Sequence, residues 1–80
     1  MNDLVWTTKR LGVFIEAACL SEDEKEVLID WVDHRSPAWT AEHRSMSDSK
    51  VGKLRTRIRR KYDLVQAEYP EVFPPRIKPK

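Results

Sequence analysis

Apolar residues recur along this chain at intervals of three and four. Leu11, Phe14, Ile15 and Ala18 follow the spacing of one helix face and predict a first helix near 5–18. Its start is open between Asp3 and Thr7 as caps, and Gly12 weakens it. Ser21-Glu22-Asp23-Glu24 reads as a capping box, in which serine and glutamate satisfy each other's backbone amides. Val27, Leu28, Trp31 and Val32 then give an inward face through 22–33. His34-Arg35-Ser36 breaks the pattern. Ser36-Pro37 is a start signal, serine at the cap and proline at the first helical position, and predicts a short helix at 37–44. Ser45-Met46-Ser47 is a turn, with Ser47 as the next cap. Val51, Leu54, Ile58, Tyr62, Val65 and Tyr69 form a single stripe on a long helix, 48–69, ended by Pro70. No segment alternates with a period of two, so no sheet is expected. Leu28, Trp31, Ala41, Val51, Leu54 and Ile58 should be buried together.

The expected fold is all-α, a small four-helix helix-turn-helix domain. Eighty residues suffice for one domain with a small core. We place it at 1–69 and set apart 70–80, which holds four of the five prolines, as a basic, Pro-rich tail that cannot be helical. Val72, Phe73 and Ile77 are the residues with which that tail could be tethered. No apolar run approaches the roughly 20 residues of a membrane span, and no signal-peptide pattern opens the chain. Cys19, the single cysteine, sits among Ala17, Ala18 and Leu20 and reads as a buried structural thiol. A chain with one cysteine forms no internal disulfide, which fits a reducing cytosol and a cytoplasmic protein. Cys19, His34 and His43 lack a zinc-ligand spacing. No paired carboxylates, nucleophilic triad or Gly-rich phosphate loop is present. Neither an enzyme, a cofactor nor a metal is expected.

Charge divides the chain. Residues 1–34 hold three basic and eight acidic side chains, net −5; residues 35–80 hold twelve basic and five acidic, net +7, which together give the formal +2. Seven of the basic residues fall between Lys50 and Lys61. A polyanion is drawn to the second half and repelled by the first.

The basic cluster lies on the second helix of what reads as a helix-turn-helix. Such a motif needs a small residue where its helices cross, an apolar plug in the turn, and apolar residues one and two turns into the second helix. Ala41, Met46, and Val51 with Leu54 meet these demands. Ser47 caps the second helix, whose first amides are suited to a phosphate.

Leu20-Ser-Glu-Asp-Glu-Lys-Glu-Val-Leu28 resembles the opening of LuxR-type DNA-binding domains, which the C-terminal domain of bacterial sigma factors shares in related form. Carried on without a gap, the resemblance places the family's Ala-Glu pair on Ala41-Glu42, its Ile-Ser turn on Met46-Ser47, its valine on Val51 and its basic stretch on Arg55–Lys61. It covers about half the chain, Leu20 to Tyr62, and implies a bacterial or phage DNA-binding regulator. Departures are Ser45 where the family has glycine, Arg44 where it has leucine, and His34 near a further glycine. Arg44 implies either a shifted helix or a phosphate contact.

At 100° per residue the apolar stripe of the last helix spans about 80°. Lys50, Lys53, Arg57, Arg60 and Lys61 cluster on one adjoining side with Ser49 and Thr56; Arg55 and Arg59 lie on the other flank. Ser49, Lys50, Lys53 and Arg57 would enter a major groove first, with Arg60 and Lys61 meeting phosphates further along. The candidate DNA-binding set is Arg44, Ser47, Ser49, Lys50, Lys53, Thr56, Arg57, Arg60 and Lys61. Trp31 and Trp39 read as core residues rather than base-stacking platforms; Trp6 is open. The expected function is sequence-specific binding of double-stranded DNA in transcription regulation. Pairing of two copies on DNA is expected through Leu11, Phe14 and Ile15 or through Val65 and Tyr69. The alternative is a protein-interaction module whose acidic half, around Glu22–Glu26 and Asp30, docks on a basic partner such as RNA polymerase. RNA binding is a third reading, disfavoured by the lack of exposed aromatic platforms.

Overall fold

The computed structural model describes residues 6–75. Among them the chain is all-helical: α1 (Thr8–Ala18), α2 (Glu22–Val32), α3 (Pro37–His43) and α4 (Asp48–Glu68). Each helix starts at a hydroxyl that accepts one of the amides its first turn leaves unpaired. The Arg10, Glu24, Trp39 and Lys50 amides donate to the side chains of Thr7, Ser21, Ser36 and Ser47 at 3.0–3.2 Å. At Ser21 the box is complete, since the Ser21 amide donates back to Glu24 Oε1 at 3.1 Å. The first helix therefore starts later than residue 5, with Thr7 as its cap; Asp3 lies outside the described residues.

The first three helices end in one way that their sequence conceals. Cys19, His34 and Ser45 adopt left-handed backbone, with φ of 51°, 62° and 55°. The amide that follows each reaches back five residues: Leu20 to Ile15, Arg35 to Asp30, and Met46 to Ala41 at 2.9–3.3 Å. This is the Schellman ending, normally made with glycine. It also corrects the reading of Cys19. As the left-handed residue of the α1 ending, its side chain is exposed rather than buried.

The other three helices all pack against α4. The α4 stripe is buried as its spacing requires, at Val51, Leu54, Ile58, Tyr62 and Val65. It meets Phe14 of α1 and Val27, Leu28 and Trp31 of α2. Ala41 and Val51 are buried on α3 and α4, two helices that touch, and Met46 packs against the core from the turn.

The core does not stop at residue 69. After α4 the Val72 and Phe73 amides both donate to the Tyr69 carbonyl at 3.0 Å, turning the chain back. Phe73 is fully buried, with ring centroids 6.0 Å from Phe14 and 5.8 Å from Tyr62. Arg10 Nε donates to the Val72 carbonyl at 3.1 Å, and the Tyr62 hydroxyl donates to that of Pro74. Residues 70–74 thus belong to the domain, and Ile77 lies outside the described residues. Trp6 joins the same cluster, 5.6 Å from Phe14 and 6.1 Å from Tyr62.

Two further expectations change. Trp39 is half-buried at the surface rather than in the core, with its ring stacked on His43 at 3.9 Å and Arg35 at 4.6 Å. Phe14 and Val65, named for pairing two copies, are buried within the domain, and Leu11 and Ile15 pack against the core; of that set, Tyr69 is exposed.

Candidate nucleic-acid interface

The cations of α4 and its turn fall into classes that their sequence positions do not reveal. Lys61 Nζ lies 2.8 Å from Glu24 Oε1. Arg44 grips Asp30 at two points, Nη2 to Oδ1 at 2.8 Å and Nε to Oδ2 at 3.2 Å. Both carboxylate side chains are only 5 % exposed, so removing either cation would strand a buried charge. Burial pushes the Glu24 carboxyl up, but the Lys61 ammonium and the Ser21 amide and hydroxyl outweigh it and hold it below its ordinary value. The two-point bond from Arg44 holds Asp30 low against a smaller effect of burial, and Asp30 in turn raises Arg44. Arg44 therefore fastens the end of α3 to α2. Lys61, expected to meet phosphate, fastens α4 to α2. Lys50 also meets an acid, Asp23, at 2.8 Å, but both partners are about half exposed, and such pairs contribute only about 0.2–1 kcal/mol.

A second class is free of these ties. Lys53, Arg57 and Arg60 are exposed, and none of the three forms an ion pair with another described residue. At 100° per residue they lie within about 60° of one another on α4. With Ser49, Gly52 and Thr56 they line one shallow, open concavity along the helix. Five expected site residues, Ser49, Lys53, Thr56, Arg57 and Arg60, are thus brought together, and the Thr56 hydroxyl donates to the Gly52 carbonyl at 3.1 Å. Ser47 stands at the start of the same helix with its hydroxyl engaged as the cap.

Arg55 and Arg59 form a third class. Their guanidinium carbons lie 4.4 and 4.9 Å from the ring centre of Trp31. Arg55 Nη2 donates to the Arg35 carbonyl at 3.0 Å. The periodicity places these arginines on the far flank; the signal that could have linked them to Trp31 is the position of Trp31 at the end of the inward face of α2.

The acidic half is drawn inward by the same pairs. Of its carboxylates, Glu24 and Asp30 are buried and Asp23 pairs with Lys50, while Glu22 pairs with Lys25 at 3.2 Å. Three ion pairs match part of the charge division along the sequence across the α2–α4 and α2–α3 contacts. No group of three metal-ligating side chains occurs among the described residues, and no described helix is long and apolar enough to cross a membrane. Searches against protein-family models, curated proteins and solved structures find no match to this chain.

Proposed function

We propose that this domain binds double-stranded DNA, with the exposed face of α4 entering the major groove, and acts as a transcription regulator. The observation that carries the reading is the row Lys53, Arg57 and Arg60, exposed and without an intramolecular ion pair among the described residues. It lies on α4, which follows α3 after the Ser45–Ser47 turn and whose other face is buried. A helix held by one face and cationic on the other suits a groove flanked by phosphates. Left-handed backbone at His34 and Ser45 adds support, because the resemblance to LuxR-type domains places glycine at Ser45 and near His34.

Fluorescence anisotropy with labelled duplexes tests the proposal. Log K should fall linearly with log salt, and selection from a random duplex pool should recover a preferred sequence. Absence of duplex binding at low salt would sink it. The interaction-module reading receives less support, because two of the acids it requires, Glu24 and Asp30, are buried and paired within the fold.

A further inference from the structure

The two flanks of the exposed α4 face differ in charge. Taking Lys53 as the centre, Lys50 and Lys61 lie about 60–80° to one side at 100° per residue. That side faces the acidic first turn of α2, whose Asp23 and Glu24 hold the two lysines at 2.8 Å. Arg59 lies about 120° to the other side, with Arg55 behind it. Both guanidiniums rest over one indole, Trp31, and neither has an ion-paired carboxylate among the described residues. Arg55 Nε is buried without an acceptor. Burial, and then the charge of Arg59, push the Arg55 guanidinium below its ordinary value. Asp30 opposes this only in smaller measure, and two like charges held close are relieved further by an external anion.

The route to that anion is open. Gly52 and Thr56 lie between Lys53 and Arg59 around the helix, and both line the concavity. A β-carbon at Gly52 would meet nothing within 4 Å, so the backbone of α4 is bare there. A phosphate chain can approach closely on this side. On the other side it would meet Asp23, which pairs with Lys50.

We propose that Arg59, braced on Trp31, is a phosphate-contact residue for the bound duplex, and that the duplex sits toward the Gly52–Thr56–Arg59 flank and away from the first turn of α2. This rests on the duplex-binding reading and reverses the sequence-based assignment, in which Lys61 met phosphate and Arg59 did not. A stacked guanidinium is well suited to the role, since the ring restricts its motion while its edge keeps its donors.

The test is the salt dependence of duplex binding by the full chain. Arg59→Ala should weaken all duplexes alike and reduce the slope of log K against log salt by about 0.9, one phosphate's worth. Arg59→Gln keeps a planar group over the indole without the charge and should give the same loss; Arg59→Lys should retain the slope. Lys61→Ala should leave the slope unchanged while lowering the melting temperature. The inference is overturned if Arg59→Gln has the wild-type slope while Lys53→Ala does not, or if Lys61→Ala takes the lost unit. If the wild-type chain shows no salt-dependent duplex binding, the duplex-binding reading falls, and this assignment with it.

Discussion

Arg44 and Asp30, fourteen residues apart, meet through two parallel charge-assisted hydrogen bonds of 2.8 and 3.2 Å. The contact fixes the C-terminal end of α3 against α2, and so sets where the Ser45–Ser47 turn delivers the first residue of α4. Arg44→Ala should therefore lower the melting temperature. Arg44→Lys should recover only part of the loss, because an ammonium cannot match both oxygens. Calorimetry of the two variants checks this; identical melting of wild type and Arg44→Ala would refute a structural role for the pair.

Acid should weaken the fold through the two buried carboxylates. Glu24 and Asp30 both have folded-state pKa values below their ordinary ones. A lowered carboxylate stabilises the folded state fully above its unfolded value, near 4. That stabilisation is lost as pH falls from there through the lower folded value. Urea unfolding between pH 7 and pH 2.5 should show a decline beginning near pH 5. In Asp30→Asn and Glu24→Gln that decline should be shallower, from a lower starting stability.

Core substitutions should separate the domain from the shorter unit that the proline positions suggest. Leu54→Ala should cost roughly 2–5 kcal/mol and Phe73→Ala roughly 3–5 kcal/mol, as expected for buried side chains. Chemical denaturation measures both. A Phe73→Ala variant as stable as wild type would place the domain boundary back before residue 70.

Ser45→Gly should stabilise. A left-handed residue with a β-carbon costs roughly 1–2 kcal/mol, and the greater unfolded-state freedom of glycine returns part of it. A net gain on the order of 0.5–1 kcal/mol is expected in the same denaturation experiment; a loss would show that the serine side chain compensates its own strain.

Arg57→Ala should leave melting unchanged, because its side chain is exposed and forms no ion pair among the described residues. It should cost on the order of 1–3 kcal/mol on the preferred duplex and alter the preference, as for a lost base contact. Equal losses on all duplexes would show that the residue only positions the protein.

Much of this architecture is legible in the sequence because its signals are local. Ser21, Ser36 and Ser47 lie next to the amides they cap, and the steps from Val51 to Val65 report one helix face without reference to anything distant. The helix endings are less legible, because Cys19, His34 and Ser45 carry out without glycine what glycine usually advertises. The partners of Arg44 and Lys61 are not legible. Two lysines eleven residues apart, Lys50 and Lys61, look alike on a wheel, and only the placement of α2 makes one a surface pair and the other the partner of a buried carboxylate. Phe73 could be named as a tether, but its full burial was not legible, because the prolines around it indicate an irregular chain and not where it returns.

The aromatic cluster of Trp6, Phe14, Tyr62 and Phe73 joins the beginning and the end of the described chain. Its closure requires residues more than sixty positions apart. During synthesis the hub therefore stays incomplete until Phe73 has left the ribosome, so α1 has no finished surface to settle on while α2 and α3 are being made. The same hub brings the entry and exit points of the domain to one side.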